Sequence, residues 1–201
     1  RLTTRQRRAV MEGLGAMSPA QRYAAAADNF TRLVGGVSDW DGPSPVKEWT
    51  AREVVGHLVT WVPGMIGGGS GLEFPSGEGA PADPVAAWRA LDERLREVLA
   101  DEELAVTVHS NPHTGQAPVA QVIDGYVTPD LVFHGWDLAR ASGQDPELDE
   151  DYIAGAYAGM TGMADMIRGS GQFGVQQDVP ADASVVEKFF AFIGRDPRWT
   201  P

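Results

Sequence analysis

Apolar side chains recur every three or four residues along most of the chain, which is the spacing of one face of an α-helix. A first helix is predicted within residues 18–37. Ser18 is a typical N-cap residue, Pro19 suits the first helical position, and Gly35 and Gly36 favour termination. Its predicted inner face consists of Tyr23, Ala26, Phe30 and Leu33.

The next two helices have equally clear start signals. Thr50 and Glu53 have the spacing of a capping box, in which each side chain bonds the other residue's backbone N–H. Asp83 and Pro84 open a third helix that extends to Leu99. The predicted inner faces are Val54, Leu58, Trp61 and Met65 in the second helix, and Val85, Trp88, Leu91, Leu95 and Val98 in the third.

The remaining pattern is also mainly helical. Residues 67–81 are rich in Gly, Pro and Ser, which predicts a covering loop or a mobile lid. Long helices joined by loops, with at most a small β-hairpin, indicate an all-α helical bundle. Further helices are predicted at about 118–142, 149–168 and 183–193, and short strands within LAVTVHS (104–110), which the NPHTG turn ends, and near 173–179.

Composition excludes several classes of function. The chain has 201 residues, a formal charge of −12 and no cysteine. This acidity argues against nucleic acid or an anionic membrane as a partner, because phosphate binding needs a basic surface. Without cysteine there is no disulfide, protein thiolate or Cys-based metal site. No apolar run is long enough to span a membrane, so a small-molecule substrate is the expected partner, and a homodimer stays open.

The start of the chain differs from the rest. Residues 1–8, RLTTRQRR, are basic, and the expectation is a flexible leader over residues 1–17 followed by a single domain over 18–201. No signal peptide pattern opens the chain, so a cytoplasmic location is expected.

One helical face carries the candidate chemistry. Asp130 and His134 are four residues apart, so their side chains lie on successive turns and can share one ion. His57 lies beside the apolar stripe of the second helix. If these two helices are neighbours, two imidazoles and one carboxylate can converge, leaving positions at an ion open for water or substrate.

An interpretation without metal stays open on residue types alone. Thr128 could be the N-cap of a helix, with Asp130 in its first turn merely complementing the helix dipole. Pro129 within a continuous helix would remove a hydrogen bond and favour a kink. A single inward histidine is also more often a hydrogen-bonded core residue than a ligand.

Three segments resemble a known group of proteins. They are WTAREVVGHLVTW (49–61), DLVFHGWDLARASG (130–143) and FFAFIGRDPRW (189–199). In order and spacing they resemble the actinobacterial DinB-like family, which includes the metal-binding domain of mycothiol-dependent maleylpyruvate isomerase. The resemblance covers most of the chain from about residue 22 to 199 and implies a DinB-like helical bundle.

The resemblance also implies a ligand set. The family's first metal histidine falls on His57, its glutamate on Asp130 and its second histidine on His134. The change from Glu to Asp is a departure, because a carboxylate one methylene shorter needs a backbone adjustment to reach the same ion. The expected ion is zinc or nickel, and mycothiol is a candidate cosubstrate. The isomerase has a second domain for which this chain has no expected counterpart, so maleylpyruvate isomerisation is not implied.

Neighbouring residues have two open roles each. Asp137 could orient a ligand imidazole or pair with Arg140. Trp61 and Trp136 could line a substrate pocket or belong to the core. His109 and His113 flank a Pro-containing turn and are expected to be exposed.

Three functions are compatible with these features. The first is a metal-dependent thiol transferase or isomerase that uses mycothiol. The second is a metal-dependent hydrolase, with Asp137 as its candidate base. The third is a non-catalytic metal-binding or stress-response protein.

Overall fold

Four of the predicted helical segments pack side by side in the computed structural model, which describes Thr3, residues 13–113 and residues 115–201. Helices α1 and α2 each contact both α3 and α6, which produces a four-helix arrangement around one apolar core. The helices are α1 Pro19–Gly35, α2 Ala51–Ser70, α3 Pro84–Ala100, α4 Glu102–Ala105, α5 Val119–Val122, α6 Thr128–Ser142, α7 Glu150–Thr161, α8 Ala164–Gly169 and α9 Val185–Phe192.

The predicted start signals of the long helices are confirmed. The Ser18 hydroxyl accepts a hydrogen bond at the start of α1, and Thr50 and Glu53 form the expected capping box at the start of α2. The predicted inner face of α1 is buried. In α3 the prediction that Val85 belongs to the core is wrong, because Val85 lies in the first turn and is 43% exposed.

A small antiparallel hairpin is the only sheet among the described residues. Strand β1 is Val108–Asn111 and β2 is Gly115–Pro118, and His109 lies opposite Ala117. This hairpin lies next to α2. The all-α prediction with a small hairpin is therefore confirmed.

Other predictions need correction. Residues 173–179 form no strand; they run beside α9, where the backbone N–H of Gln177 bonds to the carbonyl of Ala191. The long helix predicted at 149–168 is interrupted by a turn at Gly162 and Met163. Helix α2 continues through Ser70, so the predicted loop starts at Gly71; its role as a lid stays a prediction.

The start of the packed domain also differs from expectation. Leu14 is buried in the core, and the backbone N–H groups of Gly13 and Leu14 donate to the Asp149 carboxylate. Packing therefore begins before residue 18. Apart from Thr3, the basic segment 1–8 lies outside the described residues. No described helix is both long and apolar enough to cross a bilayer.

The close contact between α2 and the hairpin predicts opposite effects at two adjacent glycines. A Cβ at Gly69 would overlap the His109 ring, whereas a Cβ at Gly68 would meet no neighbouring atom. Gly69→Ala should lower the free energy of unfolding by about 1–3 kcal/mol through overpacking. Gly68→Ala should raise it by about 0.5 kcal/mol, because alanine is the better helix former. Urea unfolding followed by circular dichroism measures both, and equal effects would contradict this packing.

Candidate metal centre

Helices α2 and α6 are neighbours, and their contact brings three predicted ligand side chains together. The distance from His57 Nε2 to Asp130 Oδ2 is 3.5 Å, and the distance from His134 Nε2 to Asp130 Oδ1 is also 3.5 Å. One donor atom from each residue lies within 4.8 Å of the others. The side chains of His57, Asp130 and His134 are 31%, 22% and 7% exposed, so the cluster opens towards solvent on the His57 side.

The backbone around Asp130 is helical on both sides. Val127 and Thr128 have right-handed helical torsions, and Thr128 does not cap a new helix. The cap interpretation is therefore wrong. Helix α5 continues through a π-helical turn, Ile123–Val127, in which the Thr128 N–H bonds to the carbonyl of Ile123. Pro129 enters α6 directly after this turn, where the regular i to i+4 bonding is already interrupted.

The Asp130 carboxylate is held by groups from α2. The indole Nε1 of Trp61 donates a 2.8 Å hydrogen bond to Oδ2, the oxygen that faces His57. Burial raises the pKa of Asp130, but attraction to His134, the hydrogen bond and charge of His57 and the hydrogen bond from Trp61 together hold it below its usual value. Asp130 is thus an anion with its two oxygens directed at different imidazoles.

His134 is oriented by Asp137 on the next turn of α6. The distance between His134 Nδ1 and Asp137 Oδ2 is 2.9 Å, and Asp137 is fully buried. A carboxylate only accepts hydrogen bonds, so Nδ1 carries the proton, and in the neutral ring Nε2 is a bare donor atom facing Asp130. Of the two roles predicted for Asp137, the structure shows orientation of the imidazole. Arg140 instead donates to the carbonyl of Pro197.

Arg195 completes this arrangement and was missed in the sequence. Its Nε and one NH₂ group donate to the two oxygens of Asp137, at 3.2 and 2.9 Å. Burial raises the pKa of Asp137, but the Arg195 guanidinium and the bond to His134 hold it below its usual value. The only available signal was the position of Arg195 in the closing segment FFAFIGRDPRW.

Two tryptophans surround the histidines. The Trp49 ring centroid lies 5.0 Å from that of His57 and 5.9 Å from that of His134, and Trp61 lies 6.0 Å from His57. Trp49, at the start of the WTAREVVGHLVTW segment, is a site residue that the sequence reasoning missed. Trp136 does not line the cluster, because it is buried in the core and stacks on Phe190.

The other two histidines are separate from the cluster. The prediction that His109 is exposed is wrong. The residue is fully buried, and its Nε2 lies 2.9 Å from the carbonyl oxygen of Met65. The polar partner of the His109 ring is therefore a backbone carbonyl of α2 rather than solvent. His113 is exposed in the hairpin turn, as expected.

The three donor groups fit a divalent transition metal. The two imidazole Nε2 atoms lie 3.5 Å from different oxygens of Asp130, and all three donor atoms lie within 4.8 Å of one another. Donor atoms that share one ion at bond lengths of about 2.1 Å are about 3–4 Å apart, so a small adjustment of these side chains would let them share an ion. Two imidazoles and a carboxylate are a donor set that divalent transition metals use, and they leave positions open for an exogenous ligand. The Nδ1 hydrogen bond of His134 further favours metal binding at Nε2.

The sequence is similar to one protein family and to two mycobacterial proteins. The family model described as the mycothiol maleylpyruvate isomerase N-terminal domain matches residues 23–66, which include His57 but neither Asp130 nor His134. Two uncharacterized Mycobacterium tuberculosis proteins, Rv0738 of strain H37Rv and MT0763 of strain CDC 1551, are each 30% identical over 196 residues, covering 90% of this chain and 100% of the relative. No solved structure matches significantly.

Proposed function

The chain belongs to the actinobacterial DinB-like family, of the type found in the metal-binding domain of mycothiol-dependent maleylpyruvate isomerase, and from this premise we propose that it is a divalent-metal protein. His57, Asp130 and His134 would hold the ion, zinc or nickel. The function would be transfer of a low-molecular-weight thiol, such as mycothiol, to an electrophile. The observation that supports this most is the convergence of the three donor groups on one open-sided point.

The chain's own residues would prepare the site. Asp137 keeps the proton on Nδ1 of His134 and so leaves Nε2 free, while Trp61 holds the Asp130 carboxylate between the two rings. Trp49 lies against both imidazoles and restricts water on that side. When bound, a divalent metal would stabilise a thiol as its thiolate, the nucleophilic form.

The nucleophile would come from the cosubstrate. The chain contains no cysteine, so a thiol nucleophile would come from a molecule other than this chain. In the transfer, the thiol proton goes to water, a carbon–sulfur bond forms, and the bond from that carbon to its leaving group breaks. The partly exposed His57 side of the cluster is the approach for both reactants.

The hydrolase alternative has less support. Its candidate base, Asp137, is fully buried, and both carboxylate oxygens accept hydrogen bonds from Arg195, with His134 bonded to one of them. It cannot reach a water molecule on the open side. The thiol-transfer proposal needs no such base, because the ion lowers the pKa of the bound thiol.

Metal content tests the site directly. Protein purified without a metal-affinity tag and loaded with zinc should hold about one ion per chain, and His57→Ala should hold less than about a tenth of that, because two donors rarely retain zinc through dialysis. The matched control is His113→Ala, which removes an exposed histidine and should leave metal content unchanged. Mass spectrometry of the metal provides the measurement. Equal content in all three proteins would refute the ligand set.

Turnover then distinguishes the functions. The metal-loaded protein is mixed with mycothiol and an electrophilic aryl halide, and the thioether product is followed against the His57→Ala background. Product formation that depends on His57 supports thiol transfer. Hydrolysis of an ester or amide panel without thioether formation would support the hydrolase function instead. Metal binding without either reaction would support a non-catalytic metal-binding protein.

A further inference from the structure

The turn that ends α9 directs one arginine into the protein. Gly194 has a φ of +91°, a conformation that favours glycine. Its N–H bonds to the carbonyl of Ala191, and the N–H of Arg195 bonds to the carbonyl of Phe190. These two bonds and the left-handed glycine form a Schellman motif, which fixes the direction of the chain after the helix.

The backbone of this turn is also confined from outside. A Cβ on Gly194 would overlap the backbone of Gly174, so the segment that precedes α9 presses directly on the turn. Arg195 adds a hydrogen bond from its other NH₂ group to the carbonyl of Ile193. The guanidinium therefore starts from a rigid position and has little freedom to choose another partner.

The Arg195 guanidinium bonds to the Asp137 carboxylate, which in turn orients His134. Its fork of two N–H donors matches the two oxygens of Asp137, and both residues are buried. The same Asp137 oxygen, Oδ2, accepts from Arg195 and faces His134 Nδ1 at 2.9 Å. The chain of contacts runs from the turn after α9, through Asp137, to a candidate metal ligand.

We propose that Arg195 is a positioning residue for the candidate metal centre, which fixes the plane of the Asp137 carboxylate so that His134 keeps its proton on Nδ1 and presents Nε2. The consequence for metal affinity rests on the proposed function, whereas the consequence for the histidine tautomer does not. A carboxylate held by one bond could rotate about its last torsion, whereas a two-point contact with a planar guanidinium prevents this.

Arg195→Lys tests the two-point contact while keeping the positive charge. Lysine is a single point donor and cannot reproduce the fork. The matched control is Arg198→Lys, three residues later, because Arg198 is 67% exposed and lies 3.7 Å from Glu187 at the surface. Long-range ¹H–¹⁵N NMR of metal-free protein reports the His134 tautomer, at about pH 8 where an ordinary histidine is neutral. Competition with a chromophoric chelator reports zinc affinity.

In the wild type, the His134 signals should show the tautomer with the proton on Nδ1. In Arg195→Lys, a mixture of tautomers and a 10–100-fold loss of zinc affinity are expected, the range typical for partners of metal ligands. Arg198→Lys should match the wild type in both. A contact that only fastens α9 to α6 would lower the unfolding temperature without changing the tautomer, and that result would overturn the proposal.

The outcomes separate this proposal from the proposed function. If the wild type binds no zinc but Arg195→Lys changes the tautomer, the metal site fails and the positioning role stands. If zinc binds through His57 and His134 but Arg195→Lys matches the wild type in tautomer and affinity, the positioning role fails alone. Should Arg195→Lys not fold, the wild-type spectrum still decides, since a proton on Nε2 there would refute the proposal.

Discussion

Asp130→Asn is expected to lower the affinity of the protein for zinc at least about 100-fold. This loss exceeds the one usually seen when a residue that only hydrogen-bonds a metal ligand is replaced. The substitution keeps the shape of the side chain but replaces an anionic donor by a neutral amide. Asp130 is the central member of the cluster, because each imidazole lies 3.5 Å from one of its oxygens. Titration calorimetry with zinc, or competition with a chelator, measures the change.

Two comparisons make this result interpretable. Asp151→Asn makes the same chemical change at an exposed position in the first turn of α7 and should leave zinc affinity within about two-fold. The far-ultraviolet circular dichroism of Asp130→Asn should match the wild type, since an amide oxygen can still accept the Trp61 hydrogen bond. Unchanged zinc affinity in a folded Asp130→Asn protein would remove Asp130 from the ligand set.

Trp88→Ala is expected to lower the free energy of unfolding by about 3–5 kcal/mol, the largest effect on stability that we predict. The Trp88 side chain is almost completely buried where α1 and α3 meet, and its ring lies edge-on to Phe30 at 4.7 Å between centroids. Its indole N–H also donates to the Thr31 hydroxyl. Truncation would leave a cavity and remove this contact between helices.

Urea unfolding measures this loss as a shift in midpoint at constant slope. Val175→Ala is the control, because Val175 is 84% exposed and its truncation should change the free energy of unfolding by less than about 0.5 kcal/mol. A loss below 1 kcal/mol for Trp88→Ala would contradict the buried contact between α1 and α3. Trp88 packs between α1 and α3, whereas the candidate ligands lie on α2 and α6, so the metal affinity of the folded fraction should be retained.

Local signals in the sequence predicted the long helices well. The Ser18 and Thr50 caps and the Asp83–Pro84 start act within the first turn of a helix, so they can be recognised without knowledge of distant residues. Predictions failed where local and tertiary preferences compete. Val85 has the right spacing for the core, but it lies in the first turn of α3, at the end of the helix, and stays 43% exposed.

The region around Pro129 shows a different kind of failure. A proline after threonine resembles a helix start, yet here the chain absorbs it in a π turn and remains helical. No residue pattern in this segment distinguishes the two structures. The choice depends on burial of Leu131 and Val127 on the same side of the bundle, which is a property of the packed protein.

The candidate site was predicted in part. The spacing of Asp130 and His134 and the resemblance to the DinB-like family pointed to His57 as a third member, and these residues converge in the structure. Trp49 and Arg195 were missed, since neither has a spacing relation to the ligands. Arg195 is 58 residues from Asp137.

The sequence by itself determined where the long helices start and that Asp130 and His134 share one helical face, because caps and the 3.6-residue period act within a turn or two. Only the tertiary structure decided that α2 lies beside α6, that Asp137 turns to His134 rather than to Arg140, and that Arg195 returns from the end of α9 to hold it. Such choices among distant partners depend on how all the buried side chains fill space together, and no short segment contains that information.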